Sequence, residues 1–142
     1  ASAFYAQTVN VIGCIKTSRR NAAFETTGLV LKLYRRHFGR QPVGTETQGL
    51  LDAQAAWTDD RQTLTVGIVN PTVRAVDVPL TVVGANLTGT GTRWDISDSD
   101  PGAFNDPDQP PRVVIDERPV AGGADTLSLQ PCSVTLFALD VE

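Results

Sequence analysis

The chain has no methionine, a single histidine and only two cysteines among its 142 residues, and each scarcity narrows the chemistry. Cys14 and Cys132 are too few for a disulfide framework or a zinc site. Two buried free thiols are the expectation, with one long-range bridge as the alternative. His37, the sole histidine, falls in the last turn of a predicted helix, where the helix dipole favours a cationic imidazole. A Ser-His-Asp or Cys-His arrangement would need it inside a pocket, and nothing in the sequence puts it there. Basic residues cluster no further than Arg19-Arg20 and Arg35-Arg36 in a chain of net charge −4, so no nucleic-acid partner is expected. No apolar run approaches the roughly 20 residues of a membrane span, so no membrane partner is expected either. The opening segment has no basic n-region and no cleavage motif, and does not read as a typical signal peptide. No cofactor is expected.

The length suits one ordinary domain with a real core. A hydrophobic fraction of 41% with 20% charged residues is that of a globular protein. The composition is uneven along the chain. Residues 1–39 hold one glycine before Gly28 and no proline, whereas Pro, Gly, Asp and Thr become frequent from Gln41 onward. That shift predicts a helical first part, residues 1–40, and an all-β second part, residues 41–142.

In the first part, Phe4, Gln7, Thr8, Val11, Ile12 and Ile15 share one helical face, while β-branched residues favour a strand. A helix passing into a short strand at Cys14 to Thr17 satisfies both signals. The polar loop "SRRNAAFETT" follows, and then "TGLVLKLYRRHFG" predicts a helix with the stripe Leu29, Val30, Leu33, Tyr34 and His37. Thr26 or Thr27 is expected to cap it, and Gly39 to take the left-handed position beyond its end. Helix, short strand, loop and helix is what a cut through a β/α barrel yields. Its apolar sides are expected to bury against upstream polypeptide, and the absent methionine fits a piece of a longer protein. In the second part, "TLTVGIVN" alternates with Leu64, Val66 and Ile68 on one face, and "RAVDVPLTV" alternates through Val76, Val78 and Leu80. "TRWDI", "RVVID", "DTLSL" and "SVTLFALDV" follow. Some six short strands predict an antiparallel sandwich.

Few groups offer chemistry. Asp98, Asp100, Asp106 and Asp108 crowd one loop, but counting from Asp98 the sixth place is Ala103 and the twelfth Gln109. A calcium loop needs Gly and Glu there, so a solvated turn pinned by Pro101, Pro107 and Pro110 is expected. Glycoside hydrolysis needs two carboxylates. Glu25 alone sits in the loop after the predicted barrel strand, on the face where barrel active sites lie. Gln7, Thr8 and Asn10 are uncharged hydrogen-bonding groups among apolar neighbours, and either satisfy the chain itself or face a sugar. Trp57 and Trp94 are expected to fill core rather than form a sugar platform. Asn86-Leu87-Thr88 is a glycosylation sequon.

"AQTVNVIGCIKT", "ETTGLVLKLYRRHFG", "TLTVGIVNPT" and "GTRWDI…DPGAFNDP" together resemble the C-terminal end of family 51 glycoside hydrolases, the α-L-arabinofuranosidases. "PVGTETQGLLDAQAAW" matches in general character only. The resemblance implies a mainly β fold: an antiparallel, jelly-roll-like β-sandwich preceded by the last βα portion of a (β/α)8 barrel. It implies a retaining, exo-acting enzyme that removes terminal arabinofuranosyl groups from arabinan and arabinoxylan-type saccharides. Its two catalytic glutamates would lie upstream, so no catalytic residue is assigned here. Gln7, in its "AQ-x-VNV" setting, is similar to a family glutamine that hydrogen-bonds arabinose. The implied partners are the rest of the barrel, an arabinose-containing oligosaccharide and further copies of the chain. The alternative is a stand-alone carbohydrate-binding or structural sandwich, which would expose Trp57 or Trp94.

Overall fold

The computed structural model describes residues 7–47, 49–122 and 125–142. The element order is β1 (Ile15–Thr17), β2 (Ala22–Phe24), α1 (Thr26–His37), β3 (Gln41–Val43), β4 (Asp52–Trp57), β5 (Thr63–Asn70), β6 (Val76–Pro79), β7 (Leu87–Ser97), β8 (Asp116–Val120), β9 (Thr126–Leu129) and β10 (Ser133–Val141). Among the described residues ten strands to one helix make the chain mainly β. All strand pairs within the named elements are antiparallel.

The centre is a six-stranded sheet in the order β3-β4-β5-β10-β7-β8. Its inner strands, β5 and β10, are largely buried on both faces, between two covering layers. On one face Leu64, Val66 and Ile68 of β5 and Phe137 and Leu139 of β10 meet Leu127 and Leu129 of β9. The covering layer there is the two-stranded sheet β6-β9, which completes the sandwich. On the other face Leu136, Trp94 and Ile96 pack on Leu29 and Leu33 of α1 and on Val113. The molecule is therefore a helix, a sheet and a smaller sheet in layers.

Expectations for the first part need correction. No helix precedes β1 among the described residues; Gln7, Asn10 and Val11 have φ of 59°, 56° and 47°, values no right-handed helix contains. Phe4 lies outside the described residues. The polar loop holds β2, which pairs with β1 through Ile15↔Phe24, Lys16↔Ala23 and Thr17↔Ala22. Glu25, not Thr26 or Thr27, caps α1: its carboxylate accepts from the Thr26 N–H at 2.9 Å. Phe38 ends the helix in an extended conformation. Gly39 is required there by contact instead of conformation, because a Cβ would meet the Trp57 carbonyl oxygen. The apolar stripe of α1 does not wait for upstream polypeptide: Leu33 is fully buried on the sandwich. Among the described residues β1 pairs with no strand other than β2.

In the second part "RVVID" is a loop leading into β8, with Val113 in the core. Its backbone N–H binds the Asn105 side chain at 2.9 Å and is not available to a ladder. Both thiols are free and half-buried. Among the described residues no helix is long and apolar enough to cross a membrane.

His37 stacks on the Trp94 indole with ring centroids 4.0 Å apart, and Trp94 donates to Glu117 at 2.7 Å. The role is structural, but the charge preference is opposite to that expected from the helix dipole. Burial, then the Arg36 charge, push the imidazole below its ordinary pKa, outweighing Glu117.

Two outcomes follow. The unfolded chain takes up the His37 proton before the folded one, so stability falls as pH drops from about 6.5 through the lower folded-state value. Urea melts between pH 7.5 and 5 will show this slope, and His37→Gln will flatten it. Gly28 sits inside α1, where alanine ordinarily stabilises by about 1 kcal/mol. A Cβ at Gly28 would instead run into the Cys14 carbonyl oxygen. Gly28→Ala will therefore lower the unfolding midpoint, by about 1–3 kcal/mol.

Candidate functional site

Residues 7–25 form a looped segment and a short hairpin at the start of α1. Thr8 offers its carbonyl to the Ile15 N–H at 3.1 Å and to the Cys14 thiol at 3.5 Å. Asn10 turns left-handed, as Asn readily does, and spends its amide on Thr17. Its Oδ1 accepts from the Thr17 N–H at 2.8 Å, and its Nδ2 donates to the Thr17 hydroxyl at 2.9 Å. Asn10 thus serves the chain itself. Gln7 is exposed and its amide makes no hydrogen bond within the described residues. Of the three polar candidates, it alone has a side-chain amide left for a ligand.

The hairpin turns at Ser18–Asn21. Serine favours such a turn by binding nearby N–H groups, and Ser18 Oγ accepts from the Arg20 and Asn21 N–H groups at 3.3 and 3.2 Å. Ser18 Oγ also donates to Asp108 Oδ1 at 2.7 Å, and Asn21 Nδ2 donates to the same oxygen at 2.8 Å. These bonds hold the Asp108 carboxyl below the usual carboxylate range, Ser18 contributing most.

Asp108 belongs to the acidic loop, which Arg112 braces. Arg112 makes two bonds to Asp98, both 2.9 Å, and one to Asp100 at 3.1 Å. That guanidinium, with the Asp100 N–H, lowers the Asp98 pKa. Among the described residues no three His, Cys, Asp or Glu side chains converge as metal ligands. At the loop's centre Asn105, 3% exposed, has all its side-chain bonding capacity filled. Nδ2 donates to the carbonyls of Phe24 (3.1 Å) and Val113 (2.8 Å), and Oδ1 accepts from the N–H groups of Arg112 (3.0 Å) and Val113 (2.9 Å). A buried amide so satisfied stabilises; a half-satisfied one costs about 1–3 kcal/mol. Its own N–H lies 3.5 Å from Glu25 Oε1. Glu25 is thereby engaged as a helix cap, with no second carboxylate bonded beside it.

Trp94 is 7% exposed and lies in the core, and Trp57 is partly buried against it on the other face. Among the described residues the exposed aromatics are Phe24 and Phe104, at 41% and 62%. A cleft of about 310 Å³ lies between α1, the ends of β5 and β10 and the acidic loop, lined by Thr26, Val30, Val69, Asp98 and Val134 among others. None of residues 7–21 lines it, so it is separate from Gln7. Sequence reasoning missed Asn105 altogether and, for Asp108, weighed as a calcium carboxylate, missed its bonds to the Ser18–Asn21 turn. Their signal was the "FNDPD" run, but its partners lie more than 80 residues away.

The fold and this geometry can be set beside known proteins. No curated protein matches in sequence. A thermostable family 51 α-L-arabinofuranosidase from Thermotoga petrophila RKU-1 aligns with a TM-score of 0.82 at 21% identity, over 95% of this chain and 33% of that one. The Thermotoga maritima α-L-arabinofuranosidase in complex with arabinose gives the same values. CelM2, a bifunctional glucanase-xylanase from a metagenome library, aligns with a TM-score of 0.64 at 19% identity, over 89% of this chain and 24% of that one. The chain thus spans about a third of the length of the arabinofuranosidases it matches. Residues 1–133 match the family described as the α-L-arabinofuranosidase C-terminal domain, and the chain belongs to that family.

Proposed function

We propose that this chain is the C-terminal portion of a retaining, exo-acting α-L-arabinofuranosidase that releases terminal arabinofuranosyl groups from arabinan and arabinoxylan-type saccharides. The family match over residues 1–133 carries the reading. Residues 1–40 are the last βα portion of a (β/α)8 barrel, and residues 41–142 are its C-terminal β-sandwich. The order strand β1, short return strand β2, helix α1 is compatible with this division. Val9, Val11, Ile12, Phe24 and Leu31 are exposed, and the upstream barrel is the polypeptide that covers them.

Two glutamates on that barrel perform the chemistry. One protonates the leaving glycosidic oxygen while the other attacks the anomeric carbon, giving a covalent glycosyl-enzyme that water opens with retention. Gln7 contributes binding: its amide donates to one sugar hydroxyl and accepts from another. A stand-alone binding module is favoured by one observation, the burial of α1 on the sandwich. It is opposed by the enclosed Trp94, which leaves no tryptophan platform on that face.

The full-length enzyme will release 4-nitrophenol from 4-nitrophenyl α-L-arabinofuranoside, and the 142-residue chain alone will not. Gln7→Ala in the full-length enzyme will lower kcat/KM about 10- to 100-fold, the loss of one or two hydrogen bonds to the sugar. A full-length protein inactive on every arabinofuranoside offered overturns the reading.

A further inference from the structure

We propose that Asp108 is a positioning residue for the sugar site: it holds the Ser18–Asn21 turn and so sets the shape of the loop that leads from β1 into α1. The proposal rests on residues 1–40 being the end of a β/α barrel, because loops between a barrel strand and its helix line the active face.

The geometry is specific. One oxygen, Asp108 Oδ1, accepts from the Ser18 hydroxyl at 2.7 Å and the Asn21 amide at 2.8 Å, across 90 and 87 residues of sequence. The same acidic loop grips the other end of the hairpin, where Asn105 binds the Phe24 carbonyl at 3.1 Å. Tip and root of one hairpin are thus tied to one loop of the sandwich. Arg112 braces that loop through Asp98 and Asp100. Within itself the turn is closed by the Ser18 N–H to the Asn21 carbonyl at 2.9 Å and by Ser18 Oγ, and Asp108 is what ties it to the sandwich; Arg19 and Arg20 at its tip are exposed and form no ion pair among the described residues. Hydrogen bonds to a charged acceptor are stronger than neutral ones, so a carboxylate suits this anchoring. Asp108 acts through the turn and not on the sugar itself.

The test uses the full-length enzyme with 4-nitrophenyl α-L-arabinofuranoside and an arabinoxylan oligosaccharide. Asp108→Ala will raise KM for the oligosaccharide about 3- to 10-fold, the loss of roughly one net hydrogen bond, while kcat stays within about two-fold. Asp108→Asn keeps the acceptor oxygen and will recover most of the loss. The double variant Ser18→Ala/Asn21→Ala will raise KM by the same factor, and adding Asp108→Ala to it will change nothing further, as expected for groups acting as one unit. An unchanged KM in Asp108→Ala, a fall in kcat alone, or effects that simply multiply overturn the proposal. If Asp108→Ala does not fold, the Asn variant and the Ser18/Asn21 pair decide it by the same criteria. Wild-type enzyme that is active, beside an Asp108→Ala variant equal to it, rejects the positioning role and leaves the enzyme assignment standing. Wild-type enzyme inactive on both substrates rejects the two together.

Discussion

A sheet whose central strands are buried on both faces needs a cover on each. β5 and β10 impose that constraint here, and most of the architecture follows. Leu64, Val66, Ile68, Phe137 and Leu139 require one covering layer, supplied by β6 and β9. Leu136 requires another, supplied by α1 through Leu29 and Leu33. At roughly 25 cal/mol per Å² of apolar surface removed from water, neither cover is dispensable. The helix is thus as much a part of the sandwich's core as of the segment that precedes it. Glu25, Asn105 and the hairpin gather around the N-terminal end of that helix.

The polar contacts refine what the apolar packing sets up. Asp95, 2% exposed, accepts from Arg93 at 2.6 and 2.9 Å and from Thr135 at 2.8 Å. A buried carboxylate is tolerable when its lone pairs are filled in this way. Asn70 does the same for the turn after β5, binding the carbonyls of Arg74 and Gln130 and accepting from Thr72. No buried side-chain polar atom among the described residues lacks a hydrogen bond. The sandwich is therefore a firm base, from which Asn105 and Asp108 reach the hairpin.

Much of this was legible in the sequence, wherever side-chain period and packing agree. The stripe through Leu29 and Leu33 marked α1, alternation marked β5, and the apolar run "SVTLFALDV" marked β10. Elements without that signal were missed. β4 is written in small residues, Ala53, Ala55 and Ala56, which bury little and alternate weakly. β8 reads "DERPV", charged and proline-bearing, as befits an edge that must not pair further. The segment 7–14 carries helical spacing, yet left-handed backbone at Gln7, Asn10 and Val11 overrides it. Gln7 is a candidate that local text alone supplies, through its motif. The Asp108 anchor is not, because a hydrogen bond across 90 residues leaves no local trace.

The shared core between α1 and the sandwich bears on how evolution and engineers can exchange parts. A recombination joint at residue 41 follows the compositional boundary but cuts between Leu33 and the Trp94, Ile96 and Leu136 it packs against. A graft made there would mate one parent's helix with another parent's β-layer. Joints placed ahead of the hairpin would let helix and sandwich travel as a single inherited module, with their mutual fit intact.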